Sequence, residues 1–173
     1  MSNPFPEAAP DFSDPLGLLR ACHERVLAHC AMLEAFAARL GGELDGDAVQ
    51  AAKAVQRYFA TAAKLHHQDE EEDLFPFLVR QSLKLAQLVH ELKQDHRRLD
   101  ALWAQLESRL AWPKNIGDVD GFRAAAAEFI EINRRHVQRE NAELLEVAQH
   151  IFSSKQLAEI GRSMAKRRNV RVT

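Results

Sequence analysis

Apolar residues recur at intervals of three and four along most of the chain, the spacing of one buried helix face. The first such stripe runs Leu16, Leu19, His23, Val26, Leu27, Cys30, Leu33. Asp14-Pro15 reads as its N-cap followed by proline in the first turn, and Gly41-Gly42 ends it near Leu40. A second helix is expected from about Ala48 to Arg80, with a kink or a restart near Pro76. The third spans Leu85 to Leu110, with the stripe Leu85, Val89, Leu92, His96, Leu99, Trp103, Leu106, Leu110. Residues 112–117 read as a turn and Asp118 as the N-cap of a fourth helix reaching about Phe152. Ser153 reads as the N-cap of a short fifth helix from Ser154 to about Arg167. No segment alternates as a strand would. Four long helices joined by short loops predict an all-α, antiparallel up-down-up-down four-helix bundle with a short C-terminal fifth helix. The domain is expected over residues 15–168, between a flexible N-terminal tail (1–14) and a C-terminal tail (169–173).

Polar residues interrupt each long stripe. His23, His66, His96 and His136 fall one per helix on the apolar face. His66 and Glu70 stand four apart, as do His136 and Glu140, so each pair shares a helix face. The histidines also match in height. His23 precedes Gly41 by 18 residues and His66 follows Asp47 by 19. At about 1.5 Å of rise per residue these levels agree within about 3 Å. His66 and His96 match across the turn near Ser82, and His96 and His136 match across the third loop. Four imidazoles and two carboxylates at one depth are therefore expected in the core, where unpaired charge is costly. Inward His and Glu from several helices are the ligand set of a metal site inside a bundle. A single buried histidine would read as a satisfied core residue, and the six together could form a buried polar network without metal.

The 173 residues suffice for one domain with a sizeable core. A net charge of −2 gives no reason to expect nucleic acid or an anionic membrane as partner. No apolar run is long enough to span a bilayer, and the first residues lack the basic and apolar parts of a secretory signal. Cys22 and Cys30 are eight apart on one helix, roughly 12 Å of rise and too far for a disulfide. A cytoplasmic location is expected.

The pieces Leu-Leu-Arg-Ala-Cys-His (18–23), His-His-Gln-Asp-Glu-Glu-Glu-Asp-Leu-Phe-Pro (66–76), Asp-His-Arg-Arg-Leu-Asp (95–100) and His-Val-Gln-Arg-Glu-Asn-Ala-Glu-Leu-Leu (136–145) resemble the hemerythrin-like, cation-binding HHE family. The resemblance covers most of residues 15–168. It implies two non-haem irons joined by carboxylates and an oxo or hydroxo bridge. It also implies metal-ligand roles for His23, His66, Glu70, His96, His136 and Glu140. No Glu-x-x-His motif of the ferritin-like alternative is found.

Four histidines, two bridging glutamates and a bridging oxygen leave about two positions open on a six-coordinate pair. Leu92 stands where a His-x-x-x-His pair before His96 would need a fifth. The chain is therefore expected to be closer to members linked to iron handling, nitric oxide response and cluster repair than to reversible oxygen carriers. The implied partner is a small ligand such as dioxygen, nitric oxide or peroxide. Three other readings stay open: a di-iron oxidoreductase reducing peroxide or nitric oxide, a metal-stabilised protein-interaction module, and zinc in place of iron.

Other residues carry plainer expectations. His67 reads as surface or as an outer neighbour of the site, His29 as structural, and His90 and His150 as solvated. The acidic run Asp69 to Asp73 reads as mostly a solvated face, with Asp73 and Glu143 as candidates to orient the histidines from outside. Tyr58, Trp103 and Phe129 read as core. The basic end, Lys166-Arg167-Arg168 with Arg171, reads as solvated.

Overall fold

The structure is a computed structural model and describes residues 11–171. The described chain is helical and contains no strand. Helix α1 spans Pro15–Arg39, α2 Gly46–Ala60, α3 Ala62–Gln68, α4 Phe75–Leu78, α5 Leu83–Leu110, α6 Val119–Arg139, α7 Glu146–Ile151 and α8 Ser154–Arg167. Two π-helical turns, Asp69–Leu74 and Glu140–Leu145, join α3 to α4 and α6 to α7. The four long arms of the predicted bundle are thus α1, α2–α4, α5 and α6–α7. Neighbouring arms pack around a square in which α1 touches α2, α3 and α6, and α5 touches α2, α4 and α6. None of the described helices is long and apolar enough to cross a membrane.

The predicted caps hold. Asp14, Asp118 and Ser153 each accept a hydrogen bond from a backbone N–H three residues on, and Ser153 and Gln156 form a capping box. Gly41 takes φ +85°, the left-handed turn that stops α1 and that favours glycine.

The second arm departs from one continuous helix. It breaks at Thr61 (φ −129°, ψ −79°), whose hydroxyl donates to the Arg57 carbonyl four residues back. Such back-bonding by a β-branched residue bends helices. The second irregularity lies ahead of Pro76 rather than at it. The N–H of Phe75 reaches back five residues to Glu70, and the looser turn delivers the chain to a proline that has no N–H to donate.

The apolar core is divided in two. One cluster (Val26, Leu33, Val55, Phe59, Leu106, Phe122) fills the end near the first and third loops. The other (Leu19, Leu74, Leu78, Leu92, Leu144, Met164) fills the end near the α4–α5 turn. The His/Glu layer lies between them.

Helix α8 caps the second cluster. Gly161 lets the chain near Phe12 lie against it: a Cβ there would meet the Phe12 carbonyl oxygen at 1.9 Å. Of the stretch read as an N-terminal tail, residues 1–10 lie outside the described residues, and Phe12 is half-buried. The basic end corrects its expectation. Arg167 pairs with Asp69, Glu72 and Asp73, and Arg168 pairs with Asp69. Asp69 is itself buried. The acidic run is therefore divided, with Asp69 and Glu70 inside and Glu72 exposed. Two arginines satisfy an acid that the local pattern had left to solvent.

Candidate metal centre

All six predicted residues meet in the layer between the two apolar clusters, and none is more than 2% exposed: His23, His66, Glu70, His96, His136 and Glu140. They arrive as two related halves. His66 on α3 is followed by Glu70 in a π-helical turn, and His136 on α6 is followed by Glu140 in the other. A π turn inserts extra length, so residues four and five past the glutamate both point inward. Leu74 and Phe75 follow Glu70 in this way, and Leu144 and Leu145 follow Glu140, all four buried. Such turns are frequent at functional sites. The repeated Glu-x-x-x-apolar-apolar spacing was the available sequence signal for them, and a 3.6-residue period overlooks it.

Each carboxylate spans two histidine groups. Glu70 Oε1 lies 3.5 Å from His23 Nε2 and 3.3 Å from His66 Nε2, while its Oε2 lies 3.4 Å from His96 Nε2. Glu140 Oε2 lies 3.1 Å from His23 Nε2, while its Oε1 lies 3.2 Å from His136 Nε2. Two overlapping quartets result, His23–His66–Glu70–Glu140 and Glu70–His96–His136–Glu140. In each, the ligand atoms lie within 4.8 Å of one another. His96 Nε2 and His136 Nε2 stand 3.0 Å apart. Two nitrogens at right angles about one ion, each at about 2.1 Å, would stand about 3 Å apart.

The donor set fits a pair of cations. Glu70 Oε2 and both carboxylate oxygens of Glu140 are buried without an aligned hydrogen-bond donor. Buried anionic oxygens left so are costly unless a cation meets them. Imidazole nitrogens and carboxylate oxygens together suit iron, and they suit zinc as well.

Groups behind the rings fix their direction. His23 Nδ1 is 2.7 Å from Asn141 Oδ1, and His96 Nδ1 is 2.7 Å from Glu71 Oε1. Asn141 and Glu71 each directly follow a glutamate of the centre, so one π turn presents both a carboxylate and the partner of a histidine on another arm. Asp95 Oδ2 lies 3.5 Å from His136 Nδ1. These contacts aim Nε2 at the centre, as outer partners do around metals. Asp73 and Glu143 do not play that part: Asp73 accepts from Ser163 and Arg167, and Glu143 from Arg139. The orienting residue lies one position past the glutamate rather than three.

Charge in the layer is balanced by coupling. Burial pulls the His23 and His136 imidazoles down, but the Glu140 and Glu70 carboxylates, helped at His136 by Asp95, overcome it and hold both up at about 10. Burial raises Glu140, as does the Glu70 charge, but His136 and His23 hold it down at about 2. Glu70 is likewise well below the carboxylate range despite burial, because His66, His23 and His96 face it. Burial keeps His66 and His67 below the ordinary histidine range.

The remaining candidates fall as follows. His29 stacks on Tyr58 at 3.9 Å and does not reach the layer. Tyr58 donates to the Cys22 carbonyl at 3.4 Å. His90 and His150 are exposed, and both cysteines are free and buried. His67 turns toward the centre instead of the surface: its ring stacks on His96 at 3.9 Å.

A void of about 20 Å³ touches Val26, Ala63, Leu99 and Asn133, each three residues from one of the four histidines. It lies on the side away from the glutamates. A wider cleft of about 580 Å³, lined by Lys64, His67, Glu71, His96 and Trp103, opens to solvent.

Comparison with known proteins agrees with this geometry. A relative from Haemophilus influenzae, described only as an uncharacterized protein, is 30% identical over 171 residues, 96% of each chain. Residues 14–148 match the hemerythrin HHE cation binding domain. With that match over most of its length, and with a His/Glu cluster able to hold metal inside a helical bundle, the chain belongs to the hemerythrin HHE cation-binding family.

Proposed function

We propose that the protein holds two iron ions, one in each quartet, and uses the pair to bind a small ligand such as dioxygen, nitric oxide or peroxide in sensing or iron handling. One observation carries this reading: each buried glutamate offers one oxygen to each histidine group, as a bridging carboxylate must. His23 and His66 would hold one ion and His96 and His136 the other, with Glu70 and Glu140 spanning both. Bound iron would supply redox-active positions for a small ligand. The chain's own groups do the rest. Asn141, Glu71 and Asp95 orient the rings, the two carboxylates offset cationic charge, and the apolar clusters exclude bulk water. The void one helical turn from the four histidines has room for a water-sized molecule (a water needs about 10–15 Å³). It favours a ligand of two or three atoms over a larger substrate.

The test is anaerobic loading with ferrous iron, followed by rapid mixing with nitric oxide, dioxygen or peroxide while the visible spectrum is recorded. A saturable spectral change with at least one of the three, absent in His66→Ala, is expected. A fully loaded protein indifferent to all three would contradict the small-ligand role.

A further inference from the structure

The basic end of the chain divides in two. Arg167 and Arg168 turn inward onto the acidic run. Arg162, Lys166 and Arg171 stay exposed, and none of their side chains has an acidic or hydrogen-bonding partner among the described residues. Arg162 and Lys166 stand four apart, so they share one face of α8, where like charges repel. Glu159, the one acid on α8, lines a different groove beside Phe77 and Phe152.

The turn after α8 brings the third cation to the same place. Asn169 takes φ +57°. The Val170 N–H donates to the Ala165 carbonyl at 2.9 Å, and the Asn169 N–H donates to the Lys166 carbonyl at 3.0 Å. These two bonds form the Schellman motif, with asparagine in the left-handed position. The motif reverses the chain, so that Arg162, Lys166, Asn169, Val170 and Arg171 border one solvent-open hollow of about 380 Å³.

A helix end carries partial negative charge, which accounts for cations in the last turn. It does not account for Arg162, which lies more than a turn earlier, or for Arg171, which lies beyond the end. On a chain whose net charge is −2, this is a local concentration of positive charge, and it matches an anion. The size of the hollow suits a small ligand. An acidic peptide presents single charges spaced along its backbone, whereas a phosphate group gathers its charge on neighbouring oxygens. Forked guanidiniums meet such oxygens two at a time.

We propose that the hollow at the C-terminal end of α8 binds a phosphate-bearing ligand through Arg162, Lys166 and Arg171. Inorganic pyrophosphate, the diphosphate of a nucleotide and a phospholipid headgroup share that chemistry. The site stands apart from the metal layer and does not depend on it. The helix end itself repels an anion, so the side chains must hold it, and removing one of their charges weakens binding. Lys166 directly precedes Arg167 and Arg168, so an occupant bears on the turn whose other side grips Asp69.

The experiment is calorimetric titration of the full chain with four probes: inorganic pyrophosphate, adenosine diphosphate, vesicles of phosphatidylcholine and phosphatidic acid, and polyglutamate. One saturable site per chain is expected for at least one phosphate probe, and the tightest of the three identifies the source of the phosphate. Its affinity is expected to fall about tenfold or more in Arg162→Gln and in Arg171→Gln. It is expected to be unchanged in Lys155→Gln, an exposed residue of α8 outside the hollow. All three substitutions lie on the surface, and circular dichroism checks that the helices are intact. Phosphate binding as tight in Arg162→Gln and Arg171→Gln as in wild type would put the anion elsewhere, the metal layer included, and overturn the site. So would the absence of saturable binding by all three phosphate probes, or polyglutamate binding more tightly than any of them.

Discussion

Two protons balance two carboxylates in the metal-free centre, and this gives its residues a definite pH signature. His23 and His136 titrate at about 10 in the folded chain against an ordinary 6.5. The stability they contribute is complete below 6.5 and is lost as pH rises through 10. Glu140 moves the other way, to about 2 from an ordinary 4.5, so its contribution is complete above 4.5 and is lost as pH falls through 2. Burial holds His66 and His67 below 6.5, so they add stability as pH rises toward 6.5. The metal-free chain is therefore expected to melt highest near pH 6.5, and bound metal is expected to flatten the alkaline fall by replacing the two protons. Thermal melts of stripped and loaded protein across pH 4 to 9 check this; a metal-free melting temperature that climbs steadily above pH 6.5 would contradict it.

Removing an outer partner is a finer residue-scale probe. Glu71→Ala leaves the four histidines and both glutamates in place but frees His96 Nδ1, and is expected to weaken metal binding about 10–100-fold. Competition with a chelator reads that loss, and an unchanged affinity would deny Glu71 its orienting part. All six central residues were legible in the sequence because His and Glu on an apolar stripe stand out against their neighbours. Glu71, Asn141 and Asp95 were not. Each sits beside a central residue in sequence, off the stripe, where a polar side chain reads as solvated.

At the scale of elements, the two π turns set the reach of the glutamates, and α8 holds one of them in place. Arg167 and Arg168 both bond Asp69, the residue just before Glu70. Replacing both arginines with alanine leaves the Asp69 carboxylate buried without its cations, which costs roughly 3–5 kcal/mol. A comparable drop in unfolding free energy from denaturant titration is expected, together with weaker metal retention, because the disturbed turn also carries Glu70. Wild-type stability in that variant would mean that α8 only covers the bundle end. Helix boundaries and caps were readable because caps and periodicity are local. The arginine–aspartate bonds join residues 98 and 99 apart in the chain, and no local pattern encodes them. The break at Thr61 was missed for another reason: one threonine in an alanine-rich helix is weak evidence against continuity until its hydroxyl is seen bonding backward.

For the whole molecule, the polar layer is what makes one bundle out of two apolar clusters. Without a cation, that layer buries two carboxylates against imidazoles that must carry protons; with two cations it becomes a cross-link among all four arms. The up-down-up-down order follows from short loops, and the common depth of the histidines follows from helix rise alone, which is why counting residues from each loop located the centre.

Iron content per chain is the most direct measurement, made on anaerobically loaded protein together with its near-ultraviolet and visible spectrum. About two irons per wild-type chain are expected, with charge-transfer absorption, both lost in Glu70→Ala because the oxygens of that carboxylate face both histidine groups. A single zinc, or no metal at all, in a chain whose helical content is intact would contradict the two-iron centre.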